Sequence, residues 1–136
     1  MASLDFSAEN GLAAETVCEA LKARLAEKDG PEIVIINPRD AESQLEDDAM
    51  HVLRERLVEE LKRADHQNRF RIYFPVTEAG EPIYVHAKIM IIDDHLLRLG
   101  SSNLNNRSMG FDTECDVAIE QPAQVIEGFR NRLIGE

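Results

Sequence analysis

One short segment combines residue types that suit chemistry on a phosphate ester. His86 and Lys88 are separated by one residue, and Asp93 ends the apolar run that follows them. If this run is a β-strand, side chains two residues apart lie on one face. An imidazole there can attack phosphorus while the neighbouring ammonium neutralises phosphate oxygens. The spacing therefore predicts His86 as a nucleophile and Lys88 as its electrostatic partner.

A second pair, Ser101 and Asn103, follows Gly100 and has the same separation of two residues. Its hydroxyl and amide are neutral donors that can hold phosphate oxygens without a metal ion. No cluster of Cys, His and carboxylate residues has metal-ligand spacing, so we expect neither a metal nor another cofactor. Asp93 has the opposite strand parity from His86. We expect it to brace a turn or bind backbone amides rather than touch substrate.

Together these residues form H-x-K-x-x-x-x-D, six further residues and then G-S-x-N, without a gap. A His and a Lys on one strand face are by themselves most simply explained as a solvated pair. The second motif at a fixed offset makes the combination specific, and it resembles the signature of the phospholipase D superfamily. Residues 104–116 resemble the second catalytic half of phosphatidylcholine-hydrolysing phospholipases D and, less closely, cardiolipin synthases. The resemblance is strong over about 69–120 and weaker upstream, at 30–34.

The resemblance implies a ping-pong reaction on a phospholipid or another phosphodiester. One His forms a phosphohistidine, a second His protonates the leaving alcohol, and water or an alcohol then releases the product. The two His residues come from two motif copies, in one chain or in a homodimer, and this sequence holds one copy. The partner it implies is therefore a second motif-bearing half, either a second copy of the chain or a missing upstream domain.

Two further residues have more than one interpretation. The resemblance implies that Glu114 binds the second ring nitrogen of the nucleophilic His, although an exposed strand Glu is the alternative. Arg107 could contact phosphate or pin the irregular segment around it. Three other His residues lack a partnered spacing, and we predict that they lie on the surface: His51, His66 and His95.

Hydrophobic periodicity predicts an α/β class. The resemblance implies a mixed β-sheet flanked by helices, in a single phospholipase D-like domain spanning 1–136. The second helix is expected to begin with a capping box of Ser43 and Glu46. The last helix is expected to bury a stripe of Val125, Ile126, Phe129 and Leu133. Helices are predicted at 12–28, at about 45–64 and from Pro122 onward, strands at 33–36, 70–74, 83–92, 96–99 and 114–119, a hairpin turn at 93–95 and an irregular segment at 103–111.

Composition narrows the alternatives. The formal net charge of −11 argues against a strong nucleic-acid surface and against tight docking on an anionic membrane. The start of the chain lacks the features of an export signal, and no apolar run reaches membrane-spanning length, so we expect a cytoplasmic or peripheral membrane location. Cys18 and Cys115 are expected to be reduced and partly buried. Two alternatives stay open: a homodimeric endonuclease of the same superfamily, which needs a basic cleft, and a catalytically silent fragment that only associates.

Overall fold

The strands in the described part of the chain form two sheets, and helices precede and follow them. The computed structural model describes residues 13–39 and 55–135. The predicted capping box of Ser43 and Glu46, and His51, lie outside these residues. The elements in chain order are α1 (Ala13–Ala26), β1 (Ile33–Ile36), α2 (55–64 in the described part), β2 (Phe70–Tyr73), β3 (Lys88–Ile92), β4 (Leu96–Gly100), α3 (Asn106–Gly110), β5 (Asp116–Glu120) and α4 (Ala123–Ile134).

Both strand orientations occur, which confirms the predicted α/β class. β1 and β2 are parallel, with Ile33 opposite Phe70. Their connection contains α2, as a parallel pair requires a long crossover. β3, β4 and β5 form an antiparallel sheet in that order. The β3–β4 hairpin turns at 93–95, as predicted, and Lys88 lies opposite Gly100, which in turn lies opposite Asp116.

The hydrophobic core lies between the first two helices and β1–β2. Its buried side chains come from α1, α2 and β2, and Leu104, which follows the second motif, belongs to the same cluster. Met90 of β3 packs against this cluster, so the antiparallel sheet is attached to the core by the strand that carries Lys88. The buried members are Cys18, Leu25, Leu57, Leu61, Phe70 and Leu104.

The junction between α1 and β2 is held by polar side chains. The Arg69 guanidinium donates to the α1 carbonyl of Leu25 at 3.1 Å and to the Gly30 carbonyl at 2.5 Å, and it also reaches that of Glu27. These bonds satisfy carbonyls that the helix end leaves free. Asp65 accepts from the backbone N–H of Phe70 at 2.8 Å. The start of β2 is thus held in place by contacts outside the sheet.

The third strand begins later than the sequence predicts. The predicted span 83–92 is wrong in its first half, because β3 starts at Lys88 and His86 lies in an extended segment before it. β4 ends at Gly100, so residues before Lys88 have no strand partner there. Ile83 instead donates its N–H to the Pro75 carbonyl, which ties this segment to the preceding loop.

Three other expectations need correction. The segment 103–111 is not wholly irregular, because it contains α3, whose N-cap is Asn105. β5 starts at Asp116, so Glu114 precedes the strand. The α4 stripe is only partly buried: Ile126 is buried, whereas Val125 and Leu133 are exposed. Cys18 is buried and Cys115 is exposed, both with free thiols. No helix in the described part of the chain is long and apolar enough to cross a membrane.

Candidate active site

Lys88 is the most buried ionisable residue of the predicted site. Its side chain is at the start of β3, and the residue is only 7% exposed. Its ammonium donates to the His86 backbone carbonyl at 2.7 Å. This bond spans two residues, so Lys88 braces the backbone on which the His86 side chain is carried. A cation held with so little water around it acts strongly on nearby charge.

His86 itself is exposed, as a group that must reach a substrate has to be. Its ring is stacked with that of Tyr84, with centroids 6.1 Å apart and planes 20° from parallel. The contact restricts the tilt of the imidazole. Tyr84 was not identified from the sequence, although its separation of two residues from His86 in an extended segment was a usable signal.

Glu114 lies between two serine hydroxyls. Ser101 Oγ donates to one carboxylate oxygen at 2.6 Å, and Ser108 Oγ donates to the other at 2.5 Å. These hydrogen bonds, that of Ser101 foremost, hold the pKa of the Glu114 carboxyl below its usual range, and Lys88 lowers this pKa further. Burial and Asp116 act in the opposite direction. The structure therefore brings Ser101 and Lys88 to the ionised carboxylate of Glu114.

Among the described residues, no hydrogen bond joins Glu114 to His86. Both carboxylate oxygens are occupied by the serines, and each oxygen has a further lone pair. The predicted role of Glu114 toward the imidazole stays a prediction. Ser108 was missed by the sequence interpretation, because its place depends on a turn of α3 that the sequence did not indicate.

A second carboxylate, Asp116, fixes the start of the G-S-x-N segment. It accepts from the Ser102 hydroxyl and, at 3.3 Å, from the Ser102 backbone N–H, and it pairs with Arg98 at 2.9 Å. The Ser102 hydrogen bond is the main reason that the pKa of Asp116 is below its usual range. A Cβ on Gly100 would overlap this carboxylate and lie 2.8 Å from Asp116 Cα. Gly100 is thus required by the close approach of β5.

Asn103 is fixed through its backbone. Its N–H donates to Ser108 Oγ at 3.1 Å. Its side-chain oxygen is buried and has no hydrogen-bond partner among the described residues. A buried amide oxygen without a partner is unfavourable, and in a native structure it requires an explanation such as a functional role.

Asp93 is at the opposite end of β3 from Lys88. Asp93 and Asp94 have φ values of 48° and 56°, a left-handed conformation that Asp tolerates better than most residues. Asp94, rather than Asp93, makes the long-range contact, accepting from Arg130 of α4 at 2.5 Å. The conformation of the turn suits the predicted bracing role of Asp93, which stays a prediction.

The remaining candidates lie outside this cluster. Arg107 pairs with Asp112 at 3.1 Å, a contact that favours its role as a pin for the irregular segment. His66 and His95 are exposed. Within the described ranges, no group of three or more His, Cys, Asp or Glu side chains is placed to hold a metal ion. An open depression of about 450 Å³, lined in part by His95 and Glu120, lies at the far end of the antiparallel sheet from Lys88.

Comparison with known proteins gives a match over almost the whole chain. The family described as "Cardiolipin synthase, PLD-like domain" matches residues 5–133. No solved structure matches the chain at a significant level.

Curated relatives match shorter stretches of the chain. Phospholipase D alpha 3 of Arabidopsis thaliana is 43% identical over 56 residues, 40% of this chain and 7% of that protein. Phospholipase D of Phytophthora infestans is 49% identical over 41 residues, 30% of this chain and 2% of that protein. Phospholipase D zeta 2 of Arabidopsis thaliana is 50% identical over 44 residues, 31% and 4% of the respective lengths. The chain thus spans a small fraction of the length of these relatives.

Proposed function

Because the chain belongs to the phospholipase D superfamily, we propose that it forms one half of a phosphodiesterase site and that His86 is its nucleophile. The observation that carries the proposal is the arrangement of Lys88. This buried cation supports the backbone of the exposed His86 at 2.7 Å and acts electrostatically on Glu114. The cluster combines an accessible imidazole, a fixed positive charge and an ionised carboxylate, which a displacement at phosphorus requires.

The first step is attack of a neutral His86 ring nitrogen on phosphorus. A nitrogen–phosphorus bond forms as the bond from phosphorus to the leaving oxygen breaks, and that oxygen takes a proton from a second His. Lys88 and the Asn103 side-chain amide bind the phosphate oxygens, whose charge is redistributed in the transition state. The Ser101 hydroxyl, predicted from the sequence as another phosphate donor, donates to Glu114 instead. Glu114 accepts from the other ring nitrogen and stabilises the imidazole as it becomes positive.

The second step returns His86 to its starting state. The second His, now neutral, removes a proton from water or an alcohol, whose oxygen attacks phosphorus while the nitrogen–phosphorus bond breaks. Hydrolysis or transfer of the group results, depending on the acceptor. The second His belongs to another motif copy, from a second chain or from another half. The names of the matched phospholipases D support a phosphatidyl group as the one transferred.

An activated substrate tests the nucleophile without requiring the second His. A p-nitrophenyl phosphodiester labelled at phosphorus releases p-nitrophenolate, a leaving group that needs no general acid. We expect the chain to retain label in an acid-labile, base-stable phosphohistidine, and His86→Ala to retain none. His95→Ala is the matched control, since this exposed His lies in the turn at the far end of β3. Equal labelling of wild type and His86→Ala, or loss of labelling in His95→Ala alone, would contradict the proposal.

The same labelling experiment tests whether the reaction needs a metal ion. Labelling is expected to continue in excess chelator. Loss on chelation with rescue by one divalent metal would contradict the metal-free mechanism.

An endonuclease would instead cleave single- or double-stranded DNA at a rate above that on a phospholipid. The charge of −11 makes this outcome the less favoured one.

A further inference from the structure

Ser108 is nearly buried, and it touches both the predicted phosphate-binding loop and the predicted partner of the nucleophile. It is 6% exposed. Its Oγ accepts from the Asn103 N–H at 3.1 Å and donates to Glu114 at 2.5 Å. Its own N–H donates to Asn105 Oδ1 at 2.7 Å, the cap of α3. Two hydrogen bonds thus hold the hydroxyl, and a third holds the backbone of the same residue.

The direction of these bonds is determined by chemistry. A backbone N–H can only donate, so Asn103 must use a lone pair of Ser108 Oγ. The hydroxyl proton of Ser108 is then directed to the Glu114 carboxylate, which can only accept when ionised. Ser101 repeats the arrangement, accepting from the Cys115 N–H at 3.0 Å and donating to Glu114 at 2.6 Å. Each carboxylate oxygen of Glu114 therefore accepts a hydrogen bond from one serine hydroxyl. A backbone N–H bound to that hydroxyl fixes its orientation.

We propose that Ser108 is a positioning residue of the active site, which holds the Glu114 carboxylate ionised and oriented and at the same time fixes the backbone of Asn103. Ser108 touches no substrate in this arrangement. Ser108 Oγ contacts both Glu114, the proposed support of the His86 imidazole, and Asn103, a proposed phosphate-binding residue. It therefore couples the positions of these two residues. The inference rests on the proposed function for its catalytic consequence, whereas its structural content concerns Glu114 and Asn103 alone.

Two properties of the site depend on this coupling. Hydrogen bonds to the ionised form lower the pKa of a carboxyl, and Ser108 supplies one of the two hydroxyl bonds to Glu114. Without it, Glu114 becomes more basic and is held by the Ser101 hydroxyl alone. Asn103 loses its backbone bond to the same hydroxyl. The predicted imidazole partner and the predicted phosphate donor would then be displaced together.

Three substitutions at Ser108 distinguish the effect of losing the hydroxyl's hydrogen bonds from the effect of changing the side-chain volume. Ser108→Ala removes the donor, Ser108→Thr retains it, and Ser108→Cys replaces it with a weaker donor of similar size. Ser102→Ala is the matched control, since this buried serine bonds a different carboxylate, Asp116. Carbon-detected NMR of the Glu114 carboxyl in the full chain measures its titration, and the Asn103 amide shift reports on the loop.

We expect the pKa of Glu114 to rise in Ser108→Ala, to rise less in Ser108→Cys and to stay at the wild-type value in Ser108→Thr and Ser102→Ala. The Asn103 amide resonance shifts in the same order among the three Ser108 variants. Ser102→Ala is the control for the Glu114 titration alone, because Ser102 is bonded directly to the Asn103 amide. In turnover assays kcat falls about tenfold in Ser108→Ala and KM changes little, with recovery in Ser108→Thr. If Ser108→Ala does not fold, the Cys and Thr variants make the same comparison.

The NMR and kinetic results test the positioning role of Ser108 and the proposed phosphodiesterase function separately. An unchanged Glu114 titration in both Ser108→Ala and Ser108→Cys overturns the positioning role, whatever the enzyme does. A raised pKa in a chain that forms no phosphohistidine supports the positioning role while contradicting the proposed function. A raised pKa with equal kcat in Ser108→Ala and wild type overturns the catalytic consequence of the coupling.

Discussion

At the scale of single residues, Lys88 links the two motifs through its charge. It is nearly buried, and its ammonium bonds a backbone carbonyl. A buried ammonium is costly unless it is paired or hydrogen-bonded. Its charge lowers the pKa of Glu114 and so stabilises the ionised form of that carboxyl. The function of Lys88 therefore depends on its charge and on its reach to His86.

Replacing Lys88 with Met tests this dependence. Lys88→Met retains an unbranched side chain of comparable length and removes the charge, so the pKa of Glu114 is expected to rise. The rate of phosphohistidine formation is expected to fall by about 10²–10³, the effect of losing one preorganised electrostatic group. The labelling assay and NMR titration of Glu114 measure the two effects. Lys62→Met, on an exposed position of α2, is the control. Equal labelling by Lys88→Met and wild type would contradict the role.

The residues that could be predicted from the sequence are those whose spacing alone implies chemistry. The pairs His86–Lys88 and Ser101–Asn103 are of this kind. Ser108 and Asp116 could not be predicted, because their contacts arise from the path of the chain through α3 and into β5. Pattern analysis finds side chains on a common face of one element. It does not find side chains brought together by a short helix in a segment expected to be irregular.

At the scale of elements, the strand pairing explains which predicted boundaries were right. The apolar run of β1 and the alternation of β2 predicted strands at 33–36 and 70–74, and the observed strands are Ile33–Ile36 and Phe70–Tyr73. β3 was predicted too long, because alternation continues through 83–87 although β4 offers no partner beyond Gly100. The end of a strand depends on its neighbour, which a single-sequence pattern does not contain. His86 consequently lies just outside the sheet, where its ring is accessible.

The close contact between β4 and β5 gives a prediction at Gly100. In Gly100→Ala the Cβ would overlap the Asp116 carboxylate and approach its Cα, so the strands must separate. Such overpacking costs about 1–3 kcal/mol. Gly128→Ala is the control, since nothing lies within 4 Å of the added methyl group. This α4 substitution should be neutral or stabilise by up to about 1 kcal/mol. Urea unfolding measures both, and equal stability of Gly100→Ala and wild type would contradict the explanation.

At the scale of the whole molecule, three carboxyls make folding sensitive to acid. Asp65, Glu114 and Asp116 all have a lowered pKa in the folded chain, Asp65 chiefly through the Arg69 backbone N–H. The unfolded chain therefore binds more protons. The stability they contribute is complete above their unfolded values near 4 and is lost as pH falls through the lowered folded values.

The free energy of unfolding in urea, measured between pH 3 and pH 6, tests this sensitivity. Stability should decrease as pH falls below about 4, and the decrease should be smaller in Asp65→Asn, which no longer titrates. Dilute protein is needed, because the sequence pI is about 4.8 and net charge vanishes within this range. Identical pH dependence in wild type and Asp65→Asn would show that Asp65 does not contribute.

The final prediction concerns the second His, which no residue of the described site supplies. His66 and His95 are exposed and lie outside the cluster around Glu114, so neither is placed as a general acid beside His86. A phosphodiester with an alkoxide leaving group gains about 10²–10⁴ in rate from general acid catalysis. We therefore expect little turnover of such a substrate by monomers. In a homodimer with a shared site, one His comes from each chain.

Mixing wild-type and His86→Ala chains at constant total concentration distinguishes the possible arrangements. A shared site requires both His residues, so activity should follow the square of the wild-type fraction, and light scattering should show dimers at the concentrations where activity appears. Activity linear in the wild-type fraction, with only monomers in solution, would contradict the shared site. Labelling by the p-nitrophenyl ester without turnover of alkyl esters at any concentration would place the second His on a different half. In that case, adding a separately expressed half that carries the other motif copy should restore turnover to wild type but not to His86→Ala.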